Sequence, residues 1–132
     1  MRFQIVFSNL KYITSMEDYL VLLRLLIEAA GHQVRYDNRG AASVCNILFE
    51  GFTPSHVETF RALKQGGSDS IIVATEYVTG RTFNDFARQS DANSGDGHYG
   101  NRAYWQERFD NFVGCARHAR AKIGRASCRE RV

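Results

Sequence analysis

The sequence predicts an α/β fold, a mainly parallel β-sheet with helices on both faces. Short apolar runs at residues 3–7, 44–49 and 71–74 have the length and composition of strands covered on both sides. Longer segments with helical periodicity lie between and after them, at 16–30, 54–65 and 101–121. The 132 residues are 44% hydrophobic and 23% charged, which suits one folded domain with its own core and excludes a disordered chain.

The first strand is expected over residues 2–8, carrying Phe3, Ile5, Val6 and Phe7. A loop follows to Ser15, whose hydroxyl is placed to cap a helix, with Asp18 three residues on in a capping-box arrangement. That helix is strongly apolar over 16–30. Glu17, Arg24 and Glu28 mark one narrow wet stripe, so burial between the sheet and a second domain is expected. Gly31 is the natural C′ residue. Residues 32–37 predict a shorter, half-buried strand, 38–43 a turn with Gly40 as its flexible point, and 44–49 the next strand.

Thr53, Pro54 and Ser55 open a second helix, with Pro54 in the first turn and Ser55 and Glu58 in capping-box spacing. Val57, Phe60, Leu63 and Lys64 follow helical spacing, with the Lys64 stem able to cover the edge, and Gly66-Gly67 stops the helix. Residues 70–77 form the strongest parallel-strand candidate. The stretch 80–86 is ambiguous, and 90–100 is a loop rich in glycine and aspartate. From Asn101 a helix is expected to run toward Ala121, with Trp105, Phe109, Phe112, Val113 and Ala116 on one inward face.

Formal charge is +3, which suggests nucleic acid until the charge is located. Removing residues 123–132 takes away Arg125, Arg129, Arg131 and Glu130 and leaves 14 Lys+Arg against 13 Asp+Glu, a nearly neutral body. No nucleic-acid partner is expected. The segment 123–132 resembles, along its whole length, the in-frame translation of a common sequencing-library adapter. The resemblance implies a domain of residues 1–121, truncated before a downstream domain, and a non-native tail over 122–132; the alternative is a natural basic tail. Cys45, Cys115 and Cys128 make an odd count without CxxC spacing, which argues against a disulfide framework or zinc site and for a reducing cytosol. No apolar stretch is long enough for a membrane span, and no signal peptide is read at the start.

In parallel sheets ligands sit beyond the carboxyl ends of the strands, here residues 8–15, 50–55 and 76–84. The first place lacks both GxGxxG and GxxxxGK[ST], so no phosphate cradle is expected. Without that loop, Asp37 reads better as a solvated turn aspartate than as a ribose ligand. Asp91, Asn93 and Gly95 approach a calcium-loop spacing, but Asp96 and Arg102 stand where the loop needs Gly and Glu, so no metal is expected. His32, His56, His98 and His118 read by default as surface residues, with His98 the best placed to touch a ligand. Glu50 and Glu76 each follow an apolar run at a strand exit, where a carboxylate can orient a sugar hydroxyl or act as general base. The competing reading is a helix cap or a pair with Arg81. Residues 77–84 form the best binding-loop candidate, with Tyr77, Thr79, Gly80 and Asn84 as substrate contacts; a structural turn that packs Phe83 is the alternative. Tyr99, Tyr104 and Trp105 can stack on a sugar, although Trp105 fits the core better.

The segments Asn46-Ile47-Leu48-Phe49-Glu50-Gly51-Phe52 and Ile71-Ile72-Val73-Ala74-Thr75-Glu76-Tyr77-Val78-Thr79-Gly80, with Thr82-Phe83-Asn84, Tyr104-Trp105 and Arg108-Phe109, resemble the N-terminal domain of certain bacterial GT-B glycosyltransferases. The resemblance covers residues 1–121. It implies a Rossmann-like domain facing a missing C-terminal domain, with the nucleotide-sugar donor held by the latter, no cofactor held by this portion, and a small-molecule or glycan acceptor on this side. It identifies no catalytic residue. The rival is a stand-alone flavodoxin-like or receiver-like regulatory module, but Ser8-Asn9 stands where a receiver needs an acidic cluster.

Overall fold

The computed structural model describes residues 1–7, 13–49, 52–79, 81–84 and 102–126, with backbone only for 13–15, 77, 79 and 121–126. The chain runs β1 (Arg2–Val6), α1 (Ile13–Ala29), β2 (Gln33–Asp37), β3 (Cys45–Phe49), α2 (Pro54–Gln65), β4 (Ser70–Thr79), β5 (Thr82–Phe83), α3 (Arg102–Ala116) and β6 (Ala121–Ala126). β1 pairs in parallel with β2 on one edge and β3 on the other, β3 pairs in parallel with β4, and β4 with β6. Val78 is in register with both Phe83 and Ala126, so the antiparallel β5 and the parallel β6 flank β4 on opposite edges. The architecture is a Rossmann-like α/β sheet with helices on both faces, as the alternation of strands and helices predicts.

Strand alternation divides the core. Ile5, Ile47, Phe49, Ile71 and Val73 face α1, where Leu20 and Ile27 close one cluster. Val6, Leu48, Ile72 and Ala74 face the other way, beneath Phe60 of α2 and Trp105, Cys115 and Ala116 of α3. α1 carries the chain from β1 to β2. Each later crossover moves the opposite way across the sheet and lies on the opposite face, so all share one hand, as parallel connections require.

The β2–β3 connection contains no helix. A parallel crossover ordinarily takes a dozen residues or more, and here only 38–44 are used. Two buried amides on the sheet make so short a strap possible. Gln4, 1% exposed, donates Nε2 to the Arg39 carbonyl. Asn46, fully buried, accepts the Ala41 N–H on Oδ1 at 2.7 Å and donates Nδ2 to the Ala41 and Val44 carbonyls at 2.8 and 3.3 Å. The strap is pressed under α2 so closely that a Cβ on Gly40 would lie 2.6 Å from Leu63 Cδ1.

Several expectations are corrected. α1 begins at Ile13, so Ser15 lies inside its first turn and not at the cap; the propensity of two residues is worth only tenths of a kcal/mol, too little to fix a boundary. Thr53 takes the N-cap position of α2 without a side-chain cap bond, Pro54 opens the helix, and Glu58 pairs with Arg61 instead of completing a box with Ser55. α3 ends at Ala116. Residues 117–120 turn, and Ala121 starts a strand led in by the Arg120 N–H to Ser70 carbonyl bond at 2.7 Å. The open edge of β4 supplies hydrogen bonds that no local signal announces, and residues 122–126 occupy that edge. α1 is also less buried than its composition predicts: Leu22, Leu25 and Leu26 are 55, 50 and 59% exposed. Gly31 does end α1, at φ +79°, with its N–H on the Glu28 carbonyl.

Candidate functional site: a cleft at the strand-order switch

The chain leaves β1 toward one face and β3 toward the other, so the carboxyl ends of these neighbours diverge and open a crevice. A cleft of about 530 Å³ lies there, lined by Val6, Asn38, Arg39, Gly40, Thr53, Ser55, His56, Thr59 and Phe60. Three elements build it. The strap contributes Asn38 and Arg39, the amino end of α2 contributes Thr53 to Thr59, and β1 supplies the apolar floor at Val6.

Each wall is held from behind. Asp37 accepts the backbone N–H groups of Asn38 and Arg39 on Oδ1 at 2.7 and 3.3 Å, an Asx turn that sets the strap's first residues. Asp37 is thus the exposed turn aspartate expected of it. On the facing wall Thr53 is extended at φ −126°, ψ 162°, and its carbonyl accepts the N–H groups of His56 and Val57. Its hydroxyl lies 2.8 Å from His56 Nδ1 and 2.9 Å from Ser55 Oγ. His56 is only 9% exposed, which corrects the surface reading of this histidine: the first turn of α2 rolls it against the cleft. The lining residues carry a guanidinium, an amide, an imidazole and three hydroxyls, of which the Thr53 hydroxyl bonds Ser55 and His56 and the Thr59 hydroxyl bonds the Ser55 carbonyl at 2.9 Å. This is a donor and acceptor set suited to a polar ligand.

Of the two carboxylate candidates, Glu76 does not line the cleft. Glu50 lies outside the described residues, as do Gly80 and His98. Glu76 is half-buried, and its Oε2 accepts a 2.6 Å bond from Asn84 Nδ2. Asn84 is 6% exposed with φ +52°. Glu76 therefore pairs with Asn84 and not Arg81, and the two brace the β4–β5 hairpin. Tyr77 and Thr79 are described as backbone in β4. Phe83 is fully buried against Phe52, Phe109 and Phe112, with ring centroids 5.4–5.8 Å apart, so the hairpin has the structural role of packing this ring. Trp105 is 7% exposed within the same cluster, where the Arg108 guanidinium lies 5.5 Å from the Tyr104 ring and 5.9 Å from that of Phe52.

Two reactive groups are withdrawn from chemistry. Burial pushes the Cys115 thiol up to about 12, and burial, with the Asp69 carboxylate second, raises that of Cys45. Neither supplies a thiolate nucleophile at neutral pH. Among the described residues no group of His, Cys, Asp and Glu is placed to hold a metal, and no helix is long and apolar enough to cross a membrane.

The cleft residues that the sequence does not single out are Asn38, Arg39, His56 and Thr59. A usable signal was present for the last two, because the strand-exit rule selects residues 50–55 and the first two turns of α2 continue that site. Asn38 and Arg39 carry no such mark, since only the strap's path brings them there. The chain matches no protein-family model, no curated protein and no solved structure.

Proposed function

We propose that this chain is the acceptor-side, N-terminal lobe of a glycosyltransferase, and that the switch-point cleft takes the sugar or glycan acceptor. The observation that carries the reading is the cleft's lining. Asn38, Arg39, Thr53, Ser55 and His56 present planar and hydroxylic hydrogen-bonding groups around an apolar floor, the combination that recognises a carbohydrate. The segments that resemble GT-B enzymes support it, as does the sequence after β1, which has no glycine-rich phosphate loop. On this reading the nucleotide-sugar donor belongs to a companion C-terminal lobe, residues 122–132 are a non-native tail, and the cytosol is the site of action. Free, buried Cys45 and Cys115 suit a reducing compartment.

Recovering the natural reading frame beyond Ala121 and titrating its product with nucleotide-sugars by calorimetry tests the proposal. Saturable donor binding by the longer protein, absent from the 132-residue chain, is expected. No binding by the longer protein refutes it.

One observation favours the second reading, a stand-alone module. The parallel order β2-β1-β3-β4-β6 is that of flavodoxin-like and receiver folds. Magnesium-dependent labelling by a small phosphodonor, or binding of a flavin nucleotide, would select that module over the glycosyltransferase.

A further inference from the structure

A second cavity lies toward the amino ends of β1 and β2, the end of the sheet away from the cleft. Its volume is about 350 Å³, and Arg2, Gln33, Arg35, Ala42 and Val44 help to line it. In the parallel pairing Arg2 stands opposite Gln33 and Gln4 opposite Arg35, so all four share one face of the sheet. Phe3 and Val34, between them, turn to the α1 face. Arg35 is held from behind. Gln4, 1% exposed, accepts the Arg35 Nε–H on Oε1 at 2.5 Å and donates Nε2 to the Arg39 carbonyl, which fixes both ends of the amide. The Nη groups of Arg35 are left for another acceptor. Arg2 makes one long bond, from Nη2 to the Ser43 carbonyl at 3.4 Å. Ser43 is itself set at φ 61°, with its N–H on Ser68 Oγ at 3.1 Å. Among the described residues no carboxylate lines the cavity, and neither arginine forms an ion pair. Asp37, two residues along β2, accepts the Asn38 and Arg39 N–H groups, and Asp69, just before β4, pairs with Arg120 at 2.6 Å.

We propose that this cavity binds the phosphate group of a small phosphorylated molecule. Like charges on neighbouring strands repel, and a dianion between the two guanidiniums turns that repulsion into attraction. The Nη edge of a guanidinium matches two oxygens of a tetrahedral oxyanion, and the Gln33 amide supplies a neutral donor beside it. Because Gln4 already orients Arg35, less side-chain freedom is lost when the ligand arrives. The volume falls at the lower end of the range for small-molecule sites, about 300–1,000 Å³, which leaves room for the group that carries the phosphate. The site is separate from the switch-point cleft. The strap runs between them, lining the cleft with residues 38–40 and this cavity with Ala42. The inference is therefore independent of the glycosyltransferase reading.

The test is titration of the isotopically labelled 132-residue chain with inorganic phosphate at low ionic strength, read from backbone amide shifts. Glycerol phosphate, glycerol and acetate serve as further ligands. Both phosphates should give saturable shifts at residues 2–3, 33–35 and 42–44. Glycerol should give none, and acetate should bind about tenfold more weakly than phosphate. Arg2→Gln and Arg35→Gln should each weaken phosphate binding by about tenfold with circular dichroism unchanged, and Arg2→Gln gives up only the long bond to Ser43. Arg35→Lys, which keeps the charge and loses the planar fork, should fall between native and Arg35→Gln. Shifts that never saturate, that gather away from the cavity, or that persist unchanged in both glutamine variants overturn the proposal. Equal affinity for acetate overturns the assignment to phosphate.

Discussion

Replacing Asn46 with leucine should detach the strap while leaving the sheet's strand order unchanged, because the two side chains have the same number and branching of heavy atoms and differ chiefly in polarity. The amide is fully buried and makes three bonds to residues 41 and 44, at 2.7, 2.8 and 3.3 Å. Each such bond contributes about 1 kcal/mol net, and a polar group left buried without a partner costs about 1–3 kcal/mol. If the strap stayed in place, the Ala41 N–H and two carbonyls would lose their partners at once. The cheaper response is for the strap to lift into water, which limits the loss to about 2–4 kcal/mol. Urea unfolding followed by circular dichroism gives the stability change. Hydrogen exchange at the Ala41 amide shows whether the strap has moved. A loss below about 0.5 kcal/mol, with the Ala41 amide still protected, would refute the idea that this side chain replaces a crossover helix.

Other substitutions probe separate parts. Phe83→Ala removes a fully buried ring from a cluster of four and should cost about 3–5 kcal/mol in urea unfolding, with the β4–β5 hairpin losing exchange protection first. Gly40→Ala places a methyl 2.6 Å from Leu63 Cδ1 and should cost about 1–3 kcal/mol; Leu63→Ala in the same chain should recover part of that loss, a non-additive pair visible in thermal melts. Cys115 titrates near 12 in the folded chain against 9.0 unfolded, so the folded state holds its proton more tightly. The stabilisation is complete below pH 9 and disappears as pH rises toward 12. The urea midpoint should therefore fall over that range in the native chain and fall less in Cys115→Ala.

The parallel sheet was legible because its evidence is local and redundant: apolar runs at 3–7, 44–49 and 71–74, each followed by a helix or a turn. Gly31 and Pro54 marked two helix ends through backbone constraints that need no tertiary context. β6 was not legible. Its formation depends on hydrogen bonds offered by the open edge of β4, and residues 117–120 contain neither glycine nor proline to announce a turn. The exposure of α1 was hidden for a related reason: an apolar helix in sequence looks the same whether its second face is covered or bare.

The candidate site was legible only in outline. The strand-exit rule pointed to residues 50–55, of which Thr53 and Ser55 line the cleft, and also to 76–84, where the described residues form a hairpin brace. Glu76 looked available because carboxylates at strand ends often are. Asn84, eight residues on, takes up its Oε2 through a turn at φ +52° that periodicity does not reveal. Gln4 and Asn46 would have been the informative residues. Polar amides at inward positions of two neighbouring strands imply something polar lying over the sheet, and that is the strap lining the cleft.

The switch-point cleft is tested most directly by titrating the isotopically labelled 132-residue chain with a panel of mono- and oligosaccharides and recording backbone amide shifts. Saccharide-dependent shifts should gather at Asn38, Arg39, Thr53, Ser55, His56 and Thr59, and Arg39→Ala should abolish them. Shifts confined to the β4–β5 hairpin, or none in the cleft for any saccharide, would contradict the assignment.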